Sequence, residues 1–434
     1  LSGMKKRTIA AAGILPLLLL WIAACAMPDV KPAEEAAVQA DLAAGLRITD
    51  VSEGLPVEGR FRQNVLLADI NHDGLLDIVT PPPRLAEGDT LRPHVFLGDG
   101  KGGWTDVTQR MEYPADADFY YGSVGIGDFD EDGLTDMVLA RHKKGLMYLK
   151  RTGEWTWAVD PTVFPTGEQF PTRTLRVKDM DGDGRLDLVA VGEIIEDGPY
   201  VRLISMGLVV FKGFGTGKFR TRAMDGSTGL FADDMAIGDV SGNGLPDVAV
   251  GTMNSARRDL VWLHGAGLNF TGDSGRGFIE GYTAYTCIAL ADMDGDGLDD
   301  MVAGVMKMNS TLPDPNGLRI FYRRSEGWEK DRLGLPTDTR FAGVATADLN
   351  GNGWKDIVAL EYFTGAVWIF FRDPEGGFVE HAERLEPGRP ATGYHLTLEP
   401  LSEGRFMLAT ALSVSGNRGG GLKAYIIERA EETP

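Results

Sequence analysis

The segment from Asp292 to Asp300 reads DMDGDGLDD, with carboxylates at positions one, three, five and nine and a glycine at position six. The pattern recurs as DINHDGLLD from Asp69, DFDEDGLTD from Asp128, DMDGDGRLD from Asp179, DVSGNGLPD from Asp239 and DLNGNGWKD from Asp348. Successive copies start 59, 51, 60, 53 and 56 residues apart. A fixed period of this size marks a chain built from one supersecondary unit used many times. A further step of 51 residues reaches Glu399, where EPLSEGRFM keeps Glu403 and Gly404 at the fifth and sixth positions, a decayed seventh copy.

An alternating apolar run precedes each loop, and a β-rich run such as DLVAV or DIVAL follows it, so each loop is the turn of a hairpin. A second strand pair with glycine at most of its turns comes next, as in LVVFKGFGTGKFRTRA. Four strands per repeat and seven repeats predict an all-β fold, a seven-bladed β-propeller of four-stranded blades with hairpin loops in six of them. The last repeat ends at GLKAYIIERAE without a clear fourth strand, and GLRITDVSEG near the start resembles the missing one. The ring is therefore expected to close through the N-terminal segment, with residues 46–430 as one domain and 431–434 as a short tail.

The loops have the chemistry of calcium sites. A hard cation takes six to eight oxygens, which a turning backbone can present from alternate residues. The expected ligands in the first loop are Asp69, Asn71, Asp73 and Asp77 with the carbonyl of Leu75; in the second, Asp128, Asp130, Asp132 and Asp136 with Leu134. The third offers Asp179, Asp181, Asp183 and Asp187 with Arg185, and the fourth Asp239, Ser241, Asn243 and Asp247 with Leu245. The fifth offers Asp292, Asp294, Asp296 and Asp300 with Leu298, and the sixth Asp348, Asn350, Asn352 and Asp356 with Trp354. An EF-hand would need a glutamate at position twelve and a following helix, but Thr80, Leu139, Ala190, Val250, Ala303 and Ala359 stand there in strand-like runs. Asx-rich turns without metal are the plain alternative. The fourth and sixth loops, with two carboxylates each, should hold calcium more weakly. The loops contain 21 Asp and Glu residues against a formal net charge of -20, so most of the acidity is ligand. That acidity also argues against nucleic acid as a partner.

These hairpin loops, flanked by strands and a glycine-rich outer turn, resemble the FG-GAP/VCBS family, which includes the integrin α-subunit propeller. The resemblance covers residues 46–430 and implies a calcium-bearing propeller. It leaves the function open, since such members include adhesins, assembly scaffolds and, among related propellers, polysaccharide lyases.

From Met4 the chain runs through Lys5, Lys6 and Arg7 into an uncharged stretch from Thr8 to Ala24, as a secretory signal does. Ile22-Ala23-Ala24-Cys25 resembles a bacterial lipobox. That implies cleavage after residue 24, a lipidated Cys25 and a tether over residues 25–45, with a lipid anchor in the cell envelope, at the outer membrane. Cys287 is the one other cysteine, so no intramolecular disulfide is expected once Cys25 carries lipid. A monomer is expected.

Counting back along each innermost strand in steps of two puts small residues such as Gly125, Ala236 and Ala345 on a crowded central channel. Arg176 and Lys178 break that rule and could meet an anion. Farther back, Arg62, Asn64, Tyr121, Ser123, Thr172, Thr174, Asp234, Tyr285, Cys287 and Phe341 are expected at one mouth. Candidate ligand-binding residues are Arg62, Tyr121, Arg176, Lys178 and Tyr285. Tyr120 beside Tyr121 is a further candidate, and Cys287 reads as an inert core thiol. The expected role is a binding or scaffold module for a protein or glycan. An envelope assembly factor is one alternative; another is a polysaccharide lyase with a Tyr or His base, for which His142 and His395 are the histidines to test.

Overall fold

The computed structural model describes residues 45–164, 170–193, 207–224, 226–230, 232–252, 260–273, 283–307, 316–373, 377–414 and 419–430. Cys25, the signal-like segment, the tether up to residue 44 and the tail 431–434 lie outside the described residues.

Seven four-stranded antiparallel sheets form the blades. Their innermost strands are Leu66–Ala68, Val124–Gly127, Thr172–Lys178, Ala232–Gly238, Thr283–Ala291, Phe341–Ala347 and Thr392–Ser402. In six blades the nine-residue loop joins the innermost strand to the second in one register. The residue before the loop pairs with the loop's ninth: Ala68 with Asp77, Gly127 with Asp136, Lys178 with Asp187, Gly238 with Asp247, Ala291 with Asp300 and Ala347 with Asp356. The second strands are buried on both faces, Asp187–Gly192 along its whole length, which is why they read as unbroken apolar runs.

The seventh blade closes the ring. Leu46–Asp50 pairs with Gly421–Arg429, Leu46 opposite Arg429 and Asp50 opposite Tyr425, so one sheet holds the first and last described strands. The seventh loop has gone further than decay. Its innermost strand continues through Glu399 to Ser402, which pairs with Arg405, and Glu403 and Gly404 make a two-residue turn with Gly404 at φ 66°.

Among the described residues, seven hydrophobic clusters lie at the blade-to-blade junctions. Phe61, Phe96 and Trp104 pack with Met407, Leu422 and Ile426 across the closure, and Val189, Val210 and Met235 pack with Trp262 between blades three and four. Each large side chain buried there stabilises by roughly 1.5–3 kcal/mol. Close approach of the blades also explains the small residues of the innermost strands. A Cβ at Gly125 would lie 2.5 Å from the Val177 side chain, and one at Gly343 would lie 2.9 Å from the backbone nitrogen of Leu396. These positions face the next blade, which corrects the expectation that they crowd the channel.

Candidate functional site

Each loop is held by its own side chains. The position-one aspartate accepts from the backbone of position six, as Asp69 does from Gly74 and Asp128 from Gly133, both at 2.8 Å. The position-five oxygen accepts from position seven, as Asp296 does from Leu298 at 2.9 Å. Position six lies in the left-handed region in all six loops, from φ 80° at Gly244 to 88° at Gly353, and an added Cβ would meet nothing within 4 Å. Glycine is therefore needed there for the backbone angle alone. Position four shares that region, in Gly182, Gly242, Gly295 and Gly351 and also in His72 and Glu131.

The position-nine aspartates are fully buried and do more than sequence reasoning assigned them. One oxygen accepts from the start of the loop and the other from the third strand of the blade. Asp187 takes the N–H groups of Met180 at 2.9 Å and Gly213 at 2.7 Å; Asp300 takes those of Met293 at 2.9 Å and Arg323 at 2.7 Å. Burial pushes Asp77, Asp136 and Asp187 up to about 6, and Asp300 and Asp356 up to about 7.

Three loops gather their carboxylates into groups able to hold a metal ion. Asp128, Asp130 and Asp136 each bring an oxygen within 4.8 Å of the others, as do Asp179, Asp181 and Asp187, and Asp292, Asp294 and Asp300. These are the loops with aspartate at all four positions. In each, Oδ1 of the third residue, Asp130, Asp181 or Asp294, is buried without a hydrogen-bond partner. A buried carboxylate oxygen left so is costly, and an all-oxygen donor set suits a hard cation. Third-strand cations reach the same carboxylates: Lys150 pairs with Asp130 and Asp132, Lys212 with Asp181 and Asp183, and Arg324 with Asp294 and Asp296. In the fourth and sixth loops, position five is an asparagine whose Nδ2 donates to a third-strand carbonyl, Asn243 to His264 at 2.7 Å and Asn352 to Arg372 at 3.1 Å. The less acidic loops thus close by hydrogen bonds where the more acidic ones meet a cation.

At the other end of the innermost strands the polar residues mostly join blades. Asn64 donates to the Val124 carbonyl at 2.6 Å, Ser123 to Arg173 at 2.8 Å, and Thr286 to the carbonyl of Phe341. Asp234 accepts from the backbone of Ile288 at 2.9 Å, and His395 Nδ1 accepts from Val65 at 3.3 Å. Burial and the nearby Arg176 hold His395 well below the ordinary histidine range. A depressed folded pKa means that stability is complete above about 6.5 and lost as pH falls below it, because only the unfolded chain takes the proton. Between pH 7.5 and 5.5 the stability of the His395→Gln protein should therefore change more favourably than that of the parent, by about 1 kcal/mol, measured by chemical denaturation at the two values.

The period of two fails at this mouth for one reason. The inner strands shift register between Thr172 and Thr174, Ala232 and Asp234, Tyr285 and Cys287, Phe341 and Gly343, and Gly393 and His395. A bulge leaves an extra residue and turns the alternation over. Tyr285 and Phe341 consequently point into the core, Tyr285 beside Phe321 at a ring distance of 6.0 Å and Phe341 against Trp368 at 5.5 Å. Tyr285 is thereby corrected from a mouth residue to a core residue. Cys287 is buried, and burial pushes its thiol up, away from reactivity. The bulged residues Arg173, Asp233, Thr286, Ala342 and Tyr394 face the mouth instead.

They line a cavity of about 260 Å³ together with Arg62, Tyr121 and Arg176, three of the five expected ligand residues, and with Arg84, Arg340, Tyr362 and His395. Lys178, exposed and immediately before the third loop, is not among its lining residues. Arg176 pairs with Asp234 at 2.6 Å, and Arg173 with Asp233 and with Glu193. Three arginines lie over tyrosine rings: Arg62 over Tyr394 at 4.4 Å, Arg84 over Tyr121 at 5.2 Å and Arg340 over Tyr362 at 4.0 Å. His142 stacks on Tyr121 and Tyr120 and holds Glu193 through Nδ1 at 2.6 Å. Arg84, Arg340 and Tyr362 come from outside the loop-based count and carry no periodic signal.

A family model of the FG-GAP-like repeat matches residues 128–190 and 292–359, which contain the second, third, fifth and sixth loops. No curated protein matches the sequence. Among solved structures, BBS1N in complex with ARL6DN, soaked with mercury, is similar at 11% identity and a TM-score of 0.51, over 89% of this chain and 97% of that one. The Dos1 propeller is similar at 11% identity and a TM-score of 0.46, over 85% and 81%. At these identities the likeness is one of fold. The chain is a seven-bladed β-propeller in which residues 128–190 and 292–359 match the FG-GAP-like repeat.

Proposed function

We propose that this protein is an exported, lipid-anchored propeller that binds a protein or glycan at the channel mouth, with calcium in its acidic loops as a staple for the blades. The observation that carries the reading is the mouth cavity, lined by arginines and tyrosines of several blades at the opposite end of the innermost strands from the loops. Aspartates Asp128, Asp130 and Asp136, and their counterparts in the third and fifth loops, would hold the calcium, which supplies positive charge to carboxylates otherwise clustered. Two of the groups that line the cavity are poor bases near neutral pH. Burial holds Tyr394 up at about 12 and His395 low, so the phenol keeps its proton and the imidazole takes none near neutral pH.

Two measurements test this. Arrays of envelope proteins and glycans probed with the parent and with Tyr362→Ala should show a ligand that the variant loses. Appearance of unsaturated sugar ends, abolished by His142→Ala or Tyr121→Phe, would replace the binding module with a lyase. For the anchor, Cys25→Ser is expected to move the protein from the membrane to the soluble fraction. Continued membrane association of that variant would remove the basis for lipidation.

A further inference from the structure

The mouth holds more positive charge than its own carboxylates answer. Arg173 and Arg176 have acidic partners in Asp233, Glu193 and Asp234. Arg62, Arg84 and Arg340 have no carboxylate partner among the described residues, although the chain as a whole carries a net charge of -20. Each is instead fixed against a tyrosine ring. Burial, and then the neighbouring Arg84 and Arg60, lower the proton affinity of Arg62, so like charges crowd there. Nε of Arg340 is buried and makes no hydrogen bond. Three half-buried guanidiniums, preset by stacking and short of acceptors, form a receptor for an oxyanion, and the guanidinium fork matches a carboxylate in two parallel hydrogen bonds.

Resting on the reading of the mouth as a ligand site, we propose that this pocket binds the carboxylate of a uronic-acid residue in an acidic glycan. Volume limits the occupant to one small ring-sized group, because about 260 Å³ is below the range of drug-sized pockets. The other lining groups suit hydroxyls. Asp233, with a side chain 37% exposed, offers an acceptor, and the phenols of Tyr362 and Tyr394 can donate or accept. Beside Tyr362, the Phe363 ring is 62% exposed and presents an apolar face to an adjoining sugar ring. A run of acidic peptide side chains brings carboxylates without hydroxyls and would meet Asp233 as a like charge.

The test is titration calorimetry of the full-length protein with trimers of galacturonate, mannuronate and glucuronate, beside neutral galactotriose and triglutamate. At least one uronate trimer should bind, more weakly as salt is added. Arg62→Ala and Arg340→Ala should each weaken it by about tenfold or more, the size expected for a charge-assisted hydrogen bond. Arg340→Lys, which keeps the charge and loses the fork, should also weaken it, and an unchanged melting temperature will show that each variant is folded. Absence of binding by all three uronates, binding indifferent to both alanine substitutions, or triglutamate binding as tightly with the same arginine dependence would each overturn the assignment. If galactotriose alone binds and Tyr362→Ala abolishes it, the mouth stays a ligand site and only the acidic ligand is wrong. If no probe responds to any mouth substitution, the uronate assignment falls, and the mouth as a ligand site is then decided by the arrays of envelope proteins and glycans.

Discussion

Asp356→Ala is expected to cost about 3–5 kcal/mol of stability, equally in calcium and in chelator. The carboxylate is fully buried and ties three parts of blade six together. Oδ2 accepts from Leu349 at the start of the loop at 2.9 Å, and Oδ1 accepts from Arg372 on the third strand at 2.8 Å. Alanine leaves both N–H groups without an acceptor, at roughly 1–3 kcal/mol each, and opens a small void. The neighbouring Asp348 also accepts two backbone bonds, from Gly351 and Gly353, but at the exposed end of the hairpin where water can replace it. Asp348→Ala should therefore cost only about 1 kcal/mol. Urea denaturation of both variants decides the matter, and equal losses would show that position nine is no more than a loop residue. Because the sixth loop lies outside the three carboxylate groups, a large metal-independent loss there separates the clasp from any cation.

That clasp was visible in the sequence in one respect. Positions one and nine are aspartate in all six loops, whereas positions three and five drift to Asn71, Ser241, Asn243, Asn350 and Asn352. A cation tolerates an amide or hydroxyl oxygen in place of a carboxylate, so the drift fits ligands. Two backbone amides converging on one buried side chain tolerate much less, so the constancy of position nine fits the clasp. Reading both positions as ligands missed the difference, because the third strand that supplies the second N–H stands 15 to 26 residues away.

Blade number, loop placement and ring closure were legible because each is set by local hairpin patterns repeated in register. The mouth was not, for two physical reasons. A bulge inverts the side-chain alternation of five innermost strands without any residue type announcing it, so counting by two sent Tyr285 to the mouth and overlooked Arg173, Asp233 and Tyr394. Arg84, Arg340 and Tyr362 then arrive from segments between strands, which only the closed ring brings together. Arg62, Tyr121 and Arg176 were found because they lie outside the inverted stretch or on its loop side.

Calcium is expected to raise the melting temperature on the order of 5 °C above that in chelator, through the second, third and fifth loops. Each loop saturated at ten times its dissociation constant adds about 1.4 kcal/mol, so three add about 4. In a chain longer than 250 residues each kilocalorie moves the transition by only about 2 °C or less. The combined Asp130→Asn, Asp181→Asn and Asp294→Asn protein should bind calcium more weakly and show a smaller response at the same calcium concentration, while melting in chelator within about 2 °C of the parent. Asparagine keeps the shape and an acceptor for Lys150, Lys212 and Arg324, yet removes the charge and the buried Oδ1 that makes no hydrogen bond within the loop. Lys212→Met offers the opposite perturbation: with its internal cation gone, the third loop should be less stable in chelator and bind calcium more tightly. Equal melting temperatures in calcium and chelator would leave the loops as Asx turns held by Lys150, Lys212 and Arg324. A response undiminished in the triple variant would place the cation elsewhere, since these three aspartates are the ones whose oxygens the fold buries without a donor.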